Sequence, residues 1–194
     1  MNDDVELHWS QSSLSYDCLQ AINPMTRNSS NQRPILTIAR SPVDLLLDVV
    51  AIAGILLLLL LTFQSWATLP NTIPVHFDIA GKPDATGSKA IILLFPGLSI
   101  VLYLLFTFLR RSPHTFNYPW AITEENAFRQ YEIAIQLMNW LRTEVILLFT
   151  YIEWQMIQVA LDKSTGLGVA FLPIFVIVIF GTVGIYFWQA YQAR

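Results

Sequence analysis

The sequence predicts an all-α membrane protein. We expect a four-transmembrane-helix bundle with a structured extracytoplasmic loop after helix one and a cytoplasmic amphipathic helix leading into helix three. Three observations predict it. Of 194 residues, 54% are hydrophobic and 13% charged, about half the charged share usual in soluble domains. Mean hydropathy is +0.49. Four windows reach the roughly 20 apolar residues that a helix needs to cross the hydrocarbon core. The net charge of -3 argues against nucleic acid, whose binders carry basic patches. The single cysteine, Cys18, leaves no disulfide framework within the chain and reads as a spectator thiol.

Residues 1–40 are expected to form a mobile tail. They are rich in Ser, Asn, Gln and Asp and lack the apolar core of a signal peptide. "PILTIA", residues 34–39, is suited to lie along the membrane surface. The membrane domain then covers 41–194. Crossing one is placed at 43–69, with Ser41 as N-cap and Pro42 where no amide donor is needed. Crossing two, 90–109, starts from Ser88 and carries Pro96-Gly97, which should bend it. Crossing three is placed at 143–161 and crossing four at 167–191. Gly181 and Gly184 of the last could admit a neighbouring helix, although their spacing is not GxxxG.

The segment 110–142 separates crossings two and three. Pro113 and Pro119 keep its first part irregular, with His114 as interfacial filler. From Thr123 to Gly166 there is no Gly or Pro, so one long helix is expected, capped by Thr123 with Glu124 and Glu125 at the positive end of its dipole. Glu125 with Arg129, and Arg129 with Glu132, have the spacing of surface pairs. Phe128, Tyr131, Ile135 and Met138 recur at three and four and predict one apolar face. That face suits either the entrance to crossing three or a platform for a cytoplasmic partner.

Basic residues give the orientation. Eight of the eleven Lys and Arg fall on the side of the N-terminal tail, the 110–142 segment and the C-terminus. Only Lys82, Lys89 and Lys163 fall on the other. The positive-inside rule then puts both termini in the cytoplasm, and a bacterial cytoplasmic membrane is the expected location.

Charges inside the windows divide in two. Asp44 and Asp48 lie near the start of crossing one, with Arg40, Arg110 and Arg111 on the same side, so interfacial ion pairing is expected. Glu153 sits near the middle of crossing three, where a charge costs about 2.5–3.5 kcal/mol on insertion scales. Thr150 shares its face, and Tyr151, Gln155, Gln158 and Asp162 form a second polar stripe. No Lys or Arg lies deep in any window, so no buried cation is expected. Glu153, Gln155 and Gln158 make a candidate intramembrane polar site.

Between crossings one and two lies the outer loop 70–89, within "LPNTIPVHFDIAGKPDATGSK". Ile73, Val75, Phe77 and Ile79 alternate with polar or small residues at the period of a strand. Pro74 restricts that strand to an edge, and Gly81, Pro83, Asp84 and Gly87 read as turn formers. His76 and Asp78 would point to one side, about 6.5–7 Å apart. His76, Asp78, Gly81, Asp84, Ser88 and Lys89 are the candidate ligand-binding or structural residues. Three readings stay open: a hydrogen-bonded cap over the helix ends, recognition of a peptide or lipid group, or a metal held by His76, Asp78 and Asp84. The last lacks a second His or Cys. No nucleophile with an adjacent base is visible, so no catalytic residue and no cofactor is assigned.

The pattern formed by Leu69, Pro70, Ile73, Pro74, His76, Phe77, Gly81, Pro83, Asp84, Gly87, Ser88 and Lys89 resembles the bacterial membrane family called domain of unknown function 1648. That domain also begins the SdpI-like immunity proteins, which protect cells against a secreted peptide toxin. "FNYPWAITEENAFRQY" and "GLGVAFLP" also look like members of the family, so the resemblance covers about 41–190. Asn71 stands where an acidic residue is usual, and Thr86 where a bulky aromatic is often found. SdpI-like proteins look longer, with further helices. The resemblance implies a multi-pass plasma-membrane protein without assigned catalytic residues.

The expected function is therefore non-enzymatic binding, sensing or an immunity-type role at the bacterial envelope. Two alternatives accompany it: a small transporter or channel component with a polar path at Glu153, and an accessory subunit of a larger membrane complex. The expected partners are the lipid bilayer and a peptide or another membrane protein, with an oligomer allowed.

Overall fold

A computed structural model of the protein describes residues 33–194, and the fold concerns the unit Pro34–Arg194. The tail to Gln32, with Cys18, lies outside the described residues. Residues 33–41 have no regular secondary structure. Helix α1 then spans Pro42–Ser65. Its start is a reciprocal capping box: Asp44 N–H donates to Ser41 Oγ at 3.1 Å, and Ser41 N–H donates to Asp44 Oδ2 at 2.8 Å, so two orphan donors are satisfied. The buried residues Asp44, Leu47, Asp48, Ala51, Gly54, Ile55, Leu58 and Thr62 recur at three and four, the signature of one helix face.

The island folds as an antiparallel hairpin of β1 (Thr72–Phe77) and β2 (Pro83–Ser88). The partners run from Thr72 opposite Ser88 to Phe77 opposite Pro83, with irregularities around His76. The second strand was hidden by its own turn-forming residues. Pro83 opens it, where a missing donor is tolerated. Gly87 lies where a Cβ would come 2.9 Å from Val75 Cγ1, so the pleat needs it bare. Asp78 Oδ1 accepts from the amides of Ala80 and Lys82 at 2.9 and 2.8 Å and closes the connecting turn.

A 3-10 turn, Lys89–Leu93, runs into helix α2, Leu94–Leu109. Ser88 caps that turn, accepting from Ala90 N–H at 3.3 Å. Pro96 falls in the first turn of α2, where its missing donor costs nothing, so the expected bend becomes a 3-10 to α junction. Helix α3, Ala127–Ala160, is 34 residues long. It begins four residues after Thr123. Thr123 N–H donates to Asn126 Oδ1 at 2.9 Å, and Asn126 N–H donates to Thr123 Oγ1 at 3.3 Å, which holds the lead-in as a turn. The Thr123 hydroxyl also holds the exposed Glu125 carboxyl below its ordinary pKa. Helix α4 is Phe171–Gln192.

Four helices are thus long and apolar enough to cross a membrane: Pro42–Ser65, Lys89–Leu109, Ala127–Ala160 and Phe171–Gln192. Helix α3 is central and packs on α1, α2 and α4. Leu69, Ile73, Ile92, Met156 and Ile157 form one buried apolar cluster that seats the hairpin on the helix ends. Ala51, Ile55 and Ile146 form a second, with Tyr103 against it. Helix α4 buries only Ala190 of its own residues. Among the described residues nothing lies within 4 Å of where Cβ atoms would stand on Gly181 and Gly184.

Candidate functional site

Two polar places stand out, the hairpin and a seam buried between α1 and α3. On the hairpin, His76 Nδ1 and Asp84 Oδ1 are 2.5 Å apart on the exposed surface. Diagonal neighbours across a bulged ladder can meet this way. Asp78 does not join them, since its carboxylate is committed to the turn amides. Lys89 Nζ donates to the Trp66 carbonyl at 3.1 Å and sits over the Trp66 ring at 5.1 Å, pinning the exit of α1 to the end of β2. Gly81 takes φ +76°, and its carbonyl accepts from Leu167 N–H at 2.7 Å. The hairpin turn is thereby fixed to the loop that precedes α4. The remaining face is solvated: Thr72, His76, Asp84, Ala85, Thr86 and Ser88 are all exposed.

The seam was only half expected. Asp48 accepts from Arg142 Nη2 at 2.7 Å and from Arg40 Nη1 at 2.9 Å. Asp44 Oδ1 accepts from Asn139 Nδ2 at 2.7 Å, and Arg110 Nη2 lies 3.7 Å from Asp44 Oδ2. The Arg142 guanidinium also sits 4.7 Å from the Tyr103 ring centre, a cation–π arrangement favoured where water is excluded. Arg142 is 2% exposed. The expectation that no cation lies buried among the crossings is therefore corrected. Arg142 stands one residue before the apolar window but inside the continuous helix, and α3 turns it toward α1.

The same face explains a second correction. The buried stripe of α3 includes Gln130, Asn139, Arg142, Thr143, Thr150 and Glu153, a polar set interleaved with its buried apolar residues. Phe128, expected on the packed face, is exposed, whereas Tyr131 and Ile135 are buried. The hint was present in sequence, because Asn139 and Arg142 continue the Thr150–Glu153 face toward the helix start. Of the two surface pairs considered, Arg129 with Glu132 forms, at 2.6 Å.

Glu153 is fully buried. Thr62 Oγ1 of α1 donates to its Oε1 at 2.6 Å, while Oε2 has no partner. Gln155 belongs elsewhere: its Nε2 donates to the Tyr151 hydroxyl at 3.0 Å, which in turn donates to the Leu167 carbonyl at 2.8 Å. Gln158 is half-buried, and its carbonyl accepts from Lys163 N–H at 2.8 Å. Glu153 thus faces α1, and Gln155 faces the loop before α4.

Residues 53–100 match the family described as domain of unknown function (DUF1648). The match takes in about a quarter of the 194 residues. The matched segment takes in the second half of α1, the whole hairpin and the first half of α2. It includes Thr62 but not Asp44, Asp48 or Arg142. An uncharacterised protein of Archaeoglobus fulgidus is 36% identical over 81 residues, 38% of this chain and 43% of the relative. The match therefore spans less than half of that relative's length. No solved structure matches the chain significantly.

Proposed function

We propose that this chain is a non-enzymatic, multi-pass protein of the bacterial cytoplasmic membrane, with both termini inside and the hairpin outside. There it binds an extended peptide in a sensing or immunity-type role. One observation carries the reading: β2 is an exposed strand on a sheet of only two strands, held against the helix ends by Ile73. Such an edge offers unpaired backbone groups to an added strand. His76 and Asp84 beside it add charge for side-chain selection. The excess of Arg on the opposite side supports the orientation. A photo-crosslinking residue at Thr86, activated in intact cells, should capture a peptide. His76→Ala with Asp84→Ala should reduce that capture and alter sensitivity to toxin or envelope stress. Equal capture and equal sensitivity would remove the reading.

The exposure of α4 favours a second reading, an accessory subunit that packs this helix on another membrane protein. Co-purification in mild detergent, lost on Gly184→Leu, would support it. Transport along Glu153, Gln155 and Gln158 draws less support, because Glu153 and Gln155 face different neighbours. Flux in proteoliposomes, abolished by Glu153→Gln, would restore it.

A further inference from the structure

We propose that the end of the bundle opposite the hairpin holds one phosphate-bearing anion, the headgroup of an anionic phospholipid. Its ligands are Thr107 of α2, Arg110 and Arg111 just after that helix, and Arg40 ahead of α1. These side chains and Thr37 line one cavity of about 380 Å³. Thr107 Oγ1 is a buried atom without a hydrogen-bond partner, and Arg110 Nη2 has none beyond its 3.7 Å ion pair with Asp44 Oδ2. A helical threonine ordinarily donates to the carbonyl four residues back. Thr143 and Thr150 of α3 do so, each at 2.8 Å. Thr107 does not, so its hydroxyl is left for something inside the cavity. An unmet buried hydroxyl is costly, and a phosphate oxygen satisfies Thr107 Oγ1 while giving Arg110 Nη2 a hydrogen bond beside its longer ion pair to Asp44.

Charge points the same way. Four guanidiniums gather here, Arg40, Arg110, Arg111 and Arg142, around two carboxylates, Asp44 and Asp48. Those carboxylates are already occupied by Ser41, Asn139, Arg40 and Arg142 and, at longer range, by Arg110. A surplus of positive charge remains, and guanidinium groups suit phosphate by their planar fork. Thr107 in the last turn of α2 and Arg110 and Arg111 in the turn that follows it all line the cavity.

The surroundings favour a lipid over free phosphate. Leu36 and Ile38 line the same cavity. Leu104, Leu105 and Phe108 of α2 are exposed just below it, at 61%, 45% and 67%, where acyl chains would lie. The apolar span Lys89–Leu109 has 21 residues, about 32 Å of helix, so its end reaches headgroup depth. This rests on the helices crossing a membrane and not on the hairpin reading.

The test is native mass spectrometry of the full chain in detergent, titrated with phosphatidylglycerol, phosphatidylcholine or inorganic phosphate. One phosphatidylglycerol should be retained about tenfold more tightly than phosphatidylcholine, and Arg111→Gln or Thr107→Val should each lose most of that preference. Neither variant touches the Asp44 or Asp48 pairs, and an unchanged unfolding temperature shows that the fold is kept. Equal retention of the two lipids, or variants that bind like the wild type, would overturn the site. Inorganic phosphate binding as well as the lipid would overturn its assignment to a lipid.

Discussion

Arg142 on α3 donates to Asp48 on α1 at 2.7 Å, 94 residues apart in sequence, and ties the two helices that share the longest buried seam. Breaking such a pair strands a charge in a dry place. Arg142→Met should therefore cost about 3 kcal/mol, read as a lower unfolding midpoint in detergent. Asp48 keeps Arg40, which is partly exposed and a weaker partner. The double variant Arg142→Met with Asp48→Leu should recover much of the loss, because an apolar pair needs no compensation. A double variant as unstable as the single would show that packing against Tyr103, not charge, sets the cost.

A second relationship separates stability from function. Thr62 donates to Glu153 at 2.6 Å. Thr62→Val removes the donor and leaves the whole carboxyl unmet, at about 1–3 kcal/mol. Glu153→Gln keeps an acceptor for Thr62 and should change stability by less than about 1 kcal/mol. Comparing the two variants by thermal unfolding and by cellular phenotype isolates the role of the carboxyl. If Glu153→Gln leaves stability and every activity unchanged, the functional reading of the carboxyl fails.

The fold was legible because membrane-length apolar runs report themselves through length and composition alone. Ser41–Pro42 also declared the start of α1, and the hairpin's first strand showed its alternation. Other features needed tertiary information. Strand β2 reads "PDATGS", a turn by composition, and becomes a strand only because β1 offers it a ladder. Arg142 reads as a cytoplasmic-side charge at the entrance to crossing three, on a helix the sequence already predicts. Its direction toward Asp48 depends on helix phase. Thr107 carries no local signal, since nothing in sequence says that its carbonyl partner goes unused.

Backbone proximity predicts a third outcome. A Cβ on Gly166 would stand 2.0 Å from the Gly81 carbonyl oxygen, and Gly166 has φ +154°. Gly166→Ala must therefore push the hairpin turn away from the loop before α4. The cost should be about 2 kcal/mol or more, combining strain and lost contact. Hydrogen exchange should rise at residues 78–82 and 164–168 while the centre of α1 stays protected. Unchanged exchange at both segments would mean that the turn is not anchored there.

The last prediction concerns the hairpin surface. His76 and Asp84 are in contact, yet their side chains are 68% and 45% exposed. Exposed ion pairs contribute little, because water and salt screen them. His76→Ala and Asp84→Ala should each shift stability by less than about 0.5 kcal/mol. Neither should disturb the buried cluster around Ile73, which lies on the other face of the strand. A phenotype from these variants in cells would then report lost recognition and not lost folding. The check is to measure unfolding midpoints and cellular sensitivity on the same proteins. A large fall in midpoint would move His76 and Asp84 from the binding surface to the scaffold.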